Sequence, residues 1–323
     1  MTSGLAWSWR NALHGVVLGL PAGVAMLSDP RMALALAVGV LPAAALGVTS
    51  SRRQRVGILV VGGVAAASML AGSTVARVPV LAIVAVLVLC IAVAQLTADR
   101  SRRLAMPMLM LGLPLFGAGL SFPTISSGLA TAGLIAIGSL YGFLVSLLWP
   151  DGVAAARPAR PPTTRKVMLV YGIQIGVAGA LAAALGFALG VDHPGWACTA
   201  ALLVSRPEHS ALVARGWERA VSVIAGALLA CAVAAVAPAS VVFASLLVVV
   251  LALGTATAGS HWYVFPFFST FLVLSLLVLE DTETPAHWFV ERVAMTLVGV
   301  ALALAAAFLV PRIARALVAR RAE

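Results

Sequence analysis

Long apolar runs fill nearly the whole chain, and clusters of arginine interrupt them only at every second boundary. A soluble domain cannot bury so much apolar side chain. Here 62% of residues are hydrophobic and 10% charged, against roughly 25% charged in ordinary soluble domains. A hydrocarbon core of about 30 Å takes roughly 20 apolar residues per helix. Such runs lie at 11–28, 32–49, 56–75, 78–98, 104–122 and 127–149, then at 167–190, 194–214, 217–237, 239–259, 262–280 and 291–311. They predict an all-α polytopic membrane bundle of about twelve transmembrane helices.

Orientation follows from the short loops. Arg10, then Arg52, Arg53 and Arg55, then Arg100, Arg102 and Arg103 share one side. Arg157, Arg160, Arg165, Lys166, Arg215, Arg219 and the terminal Arg312, Arg315, Arg320 and Arg321 join them. The opposite loops hold only Arg31 and Arg77, and one of them is acidic at Glu280, Asp281 and Glu283. Basic residues stay inside, so both termini are expected in the cytoplasm of a cell (inner or plasma) membrane. The net charge of +10 has its source in these loops and in attraction to anionic lipid. With no separate basic domain, a nucleic-acid role is excluded.

The two halves read as copies. Arg55 with Gly62 repeats as Arg219 with Gly226, and Pro42 matches Pro207. Pro107 matches Pro266, Gly138 matches Gly299, and Pro150 matches Pro311, all at nearly the same offset. Six spans is an even number, so such copies insert in parallel. The expected organisation is a six-helix repeat at 1–149, a Pro- and Arg-rich cytoplasmic linker at 150–166, a second repeat at 167–312, and a basic tail at 313–323.

Between His193 and Ala230 two readings compete. In one, the eighth span ends near Val204 and the segment from Arg206 to Trp217 is a cytoplasmic elbow. In the other, that span continues to about Ala214 and breaks at Pro207, because Pro194 to Val204 covers only about 16 Å. Arg206, Glu208 and His209 would then lie within the membrane. A buried arginine costs roughly 2.5–3.5 kcal/mol there, so partners are required. Glu208 and His209 offer them, making an anion and proton site beside a helix break. Trp196, Phe267 and Phe268 are candidates for an apolar substrate wall, against the alternative of core packing. Pro42, Pro207 and Pro266 mark helix breaks, and Gly226 and Gly299 close packing. His14, Gln95 and Gln174 are lone polar residues expected to hydrogen-bond between helices.

Cys90, Cys198 and Cys231 are isolated in apolar runs, which argues against a metal site or disulfide. No nucleotide, zinc-protease or hydrolase motif is present, so neither an enzyme nor a cofactor is expected.

Pro194, Trp196, Thr199-Ala200, Pro207 and the Arg219…Gly226 helix start, with the closing helix carrying Arg292, Thr296, Gly299 and Pro311, are together similar to the fusaric acid resistance protein-like (FUSC) family. That family is an integral membrane-bound transporter domain that includes the aromatic acid exporters. The resemblance covers about 167–312 and extends to 1–150 by the repeat. It implies export of small organic, often aromatic, acids driven by the proton gradient, with lipids as surroundings and a homo-oligomer open. Longer members carry a soluble cytoplasmic domain after a six-helix block, so cargo or partner is expected to differ here. Two alternatives stand beside it. The turn at 47–57 resembles that of major-facilitator carriers without their aspartate, and a non-transporting membrane scaffold would have no need of the Arg206 cluster.

Overall fold

The computed structural model describes residues 6–99, 104–122, 124–151, 164–206, 209–258, 264–280 and 284–320. Every element among them is helical. In the first half these are α1 Trp9–Ala25, α2 Pro30–Gly39, α3 Leu41–Leu46, α4 Arg52–Val75, α5 Pro79–Thr97, α6 Ala105–Gly119 and α7 Ile125–Ser146. In the second they are α8 Arg165–Leu189, α9 Gly195–Val204, α10 His209–Val236, α11 Ser240–Ala256, α12 Val264–Glu280 and α13 Pro285–Arg320.

Local chemistry places the ends. Asp29 caps α2 by accepting from Met32 N–H, with Pro30 at the first position, where its missing donor costs nothing. Thr164 caps α8, and Gly190, at φ 63°, stops that helix in the left-handed conformation. Pro42 cannot donate to the preceding turn, so the second apolar run is split: α2 stops at Gly39 and α3 restarts at Leu41. Within α6, residues Met108–Gly112 widen into a π-helical turn directly before Pro114.

The helices are not equally long. Among the described residues six helices (α4, α5, α7, α8, α10 and α13) are long and apolar enough to cross a bilayer, and α2, α6, α9, α11 and α12 are shorter apolar helices. Each of the expected apolar runs carries helix, but helix length supports fewer crossings than twelve. On α5, Val80, Leu81, Val84 and Val88 are exposed, as a lipid-facing surface requires. The protein is therefore a multi-pass membrane protein.

The chain divides into two compact units that do not follow the sequence halves. Unit 1 takes residues 1–66, 130–157 and 221–293, and unit 2 takes 67–129, 158–220 and 294–323. In unit 1, α1 packs along α11, and α2 packs against α1 and α12. Its core holds Leu18, Met26, Leu34, Leu247, Leu251, Phe271 and Leu272. In unit 2, α8 packs along α5, and α9 packs against α8 and α6.

Small residues set the helix spacing in each unit. Gly15, Gly19 and Gly23 recur every fourth residue on α1, and a methyl on Gly15 would lie 2.7 Å from the Ala252 backbone. On α8, Gly172 and Gly176 do the same, with Ile91 Cα 3.0 Å from a methyl on Gly172. In lipid no hydrophobic force drives helices together, so dispersion between closely approached backbones has to.

Candidate functional site

In unit 2 the buried helix α9 ends on a polar turn. Thr199 Oγ1 donates to Gly195 O (2.9 Å) and to Pro114 O (3.1 Å), and Gly195 N–H donates to Ser121 Oγ (3.1 Å). These bonds seat α9 between α8 and α6. Ser205 then turns to extended backbone (ψ 129°), its hydroxyl donating back to Ala201 O at 2.7 Å. Arg206 precedes a proline, a position that disfavours helix.

The carbonyls freed by this turn are met by side chains. Tyr171 OH donates to Ser205 O at 3.1 Å, and Gln174 Nε2 donates to Arg206 O at 3.4 Å. The Arg206 guanidinium, half-buried, also donates to Ser205 O. Arg215, on α10, lies within electrostatic reach of Arg206, Glu218 and Tyr171. Two half-buried guanidinium groups therefore lie close enough to feel each other's charge.

The neighbouring expectations are met unevenly. Pro207 and Glu208 lie outside the described residues, and His209 opens α10. The expected eighth span, 194–214, is corrected: α9 stops at Val204, and residues 209–214 begin the helix that runs on to Val236. The break falls between two helices rather than inside one, since neither Arg206 before a proline nor Ser205 holds helical backbone. Trp196 stacks on His193 (4.1 Å, 10°) at the opposite end of α9, about 15 Å from Arg206 by helical rise.

Phe267 and Phe268 belong to unit 1, edge to face at 5.1 Å. Phe268 is buried against Gly254, and the Phe267 carbonyl lies 2.4 Å from where a Gly226 methyl would stand. Pro266 sits in the first turn of α12, and a Gly299 methyl would lie 2.3 Å from Ala197 O. These positions pack helices together.

Residues 181–306 match the model of the fusaric acid resistance protein-like family. The fusaric acid resistance protein-like segment contains Trp196, Thr199, Arg206, Arg215, Gly226 and Gly299, and so the whole turn at the end of α9. No curated protein and no solved structure matches the chain.

Sequence reasoning treated Arg215 only as a marker of orientation, and Arg55 as a marker of orientation and of the repeat. Arg55 is fully buried in unit 1 and donates to Ser146 O (2.9 Å), Trp149 O (2.8 Å), Pro150 O (3.0 Å) and Asp151 Oδ1 (3.2 Å). An arginine at the start of an apolar helix beside a distant helix end is the available signal, but the pairing is not local. Gln95 and Gln174 do bond to carbonyls of other segments. His14 does not: neither ring nitrogen has a hydrogen-bond partner among the described residues, which corrects the expectation for it.

Proposed function

We propose that this protein exports small organic acids, aromatic ones among them, across the cell membrane in exchange for protons. The family match over residues 181–306 carries the reading, because it encloses the arginine-lined turn. Arg206 attracts the cargo carboxylate, Arg215 adds positive potential, and Glu208 or His209 exchanges the coupling proton. The Arg206 guanidinium is half-buried, and a charge so placed is retained when it pairs with a neighbour or a substrate.

Two parallel six-helix repeats form the frame of this proposal. Its support is that α1 with α11, and α2 with α12, in unit 1 correspond to α8 with α5, and α9 with α6, in unit 2. The glycines Gly15 and Gly19 correspond likewise to Gly172 and Gly176.

The experiment is flux in reconstituted vesicles. A pH gradient should drive saturable movement of labelled benzoate, and dissipating the gradient should stop it. Correctly inserted protein that moves neither benzoate nor a related organic acid under any gradient overturns the reading. Orientation is checked by cysteine labelling in intact cells. Positions beside Arg102 and Arg160 should be protected and a position beside Glu283 labelled; external labelling beside Arg160 reverses the topology.

A further inference from the structure

A second group of buried polar atoms lies in unit 1, with no place in the transport reading. Among the described residues, Arg10 Nε, both ring nitrogens of His14, Thr49 Oγ1 and Arg55 Nε are all buried without a hydrogen-bond partner. His14 and Arg55 are each wholly inaccessible. The residues are brought together by contacts that are themselves made. Arg10 and His14 are one helical turn apart on α1, and Arg10 donates to Pro150 O. Arg55 grips the same stretch, donating to Trp149 O, Pro150 O and Asp151 Oδ1. The Trp149 ring stands edge-on to His14 at 5.0 Å. Asn11, between Arg10 and His14, accepts from Val48 N–H at 3.1 Å, which brings Thr49 to this end of α1.

We propose that Arg10, His14, Thr49 and Arg55 form a binding site for one small oxyanion group, a carboxylate or a phosphate. The donor inventory points there. Two guanidinium N–H groups donate only, imidazole offers one N–H, and a hydroxyl hydrogen rotates to suit. A buried donor left unmet costs free energy, and these atoms are shielded from solvent. Arg10 and Arg55 are also the charges the His14 ring experiences most strongly. The Asp151 carboxylate beside them already accepts from Arg55 Nη2 and from Arg52 N–H at 3.0 Å. The free hydrogen-bonding capacity is therefore mostly donor and its charge positive. An oxyanion satisfies both.

Binding is measured on purified full-length protein in phosphatidylcholine nanodiscs. One arm titrates inorganic phosphate and then benzoate by calorimetry. The other compares thermal unfolding after a share of the lipid is replaced by phosphatidylglycerol. Saturable binding of phosphate or benzoate identifies a free anion, and stabilisation by phosphatidylglycerol alone identifies a headgroup phosphate. Either effect should fall at least tenfold in His14→Phe, which keeps a ring against Trp149 but cannot hydrogen-bond. Thr49→Val, which deletes only a hydroxyl, should weaken it severalfold and decides the matter if His14→Phe does not fold. No effect of any of the three probes overturns the proposal. So does wild-type behaviour in His14→Phe, which is also what binding confined to Arg206 would give, so the two readings fail separately.

Discussion

Replacing Arg55 with alanine is expected to destabilise the protein by about 3 kcal/mol, the scale for stripping a buried charged partner from groups it satisfies. The cost does not lie mainly in the ion pair. Asp151 is 57% exposed, and exposed pairs contribute roughly 0–1 kcal/mol. It lies in the carbonyls of Ser146, Trp149 and Pro150, at and beyond the C-terminal end of α7. A helix end leaves its last carbonyls unpaired, and here one guanidinium serves that of Ser146 together with two in the segment that follows. Arg55→Lys should recover less than half the loss, because an ammonium cannot reproduce the planar fork. Asp151→Asn should cost under about 1 kcal/mol. Unfolding in detergent, followed by heat or denaturant, checks the series. If Arg55→Ala unfolds like the wild type, the clamp is not what holds that end of α7.

Arg206→Ala should lower benzoate export at least about 30-fold at sub-saturating cargo while insertion and folding persist. Truncating one partner of a partly buried charge pair costs about 2 kcal/mol or more, and each 1.4 kcal/mol is tenfold. The arginine also donates to Ser205 O, a bond it shares with Tyr171, so the turn keeps a donor when Arg206 is removed. Glu208→Gln should leave cargo movement in place but free it from the pH gradient. Full export by Arg206→Ala would sink the carboxylate assignment, whatever the protein carries.

The helices were legible because apolar run length and prolines act locally. Pro30, Pro79 and Pro285 each stand in the first turn of a helix, where a proline loses no bond. Pro42 splits its run for the same local reason. The end of α9 was only half legible. A proline after Arg206 announces a break, but whether the next residues finish one helix or begin another depends on what packs around them.

The sequence by itself determined a multi-pass helical membrane protein with its charge gathered at loops, because burial in lipid constrains every residue of a span alike. Tertiary structure alone decided that each compact unit draws on both halves of the chain. It also decided that α1 pairs with α11 and α5 with α8. The partners of Arg55 stand 91 to 96 residues further along, and Gln174, which meets the Arg206 carbonyl, lies on α8. His14 was one polar residue among several until its surroundings showed that both ring nitrogens are unmet. Such pairings depend on shape complementarity between distant helices, set by glycines whose role appears only where two backbones meet.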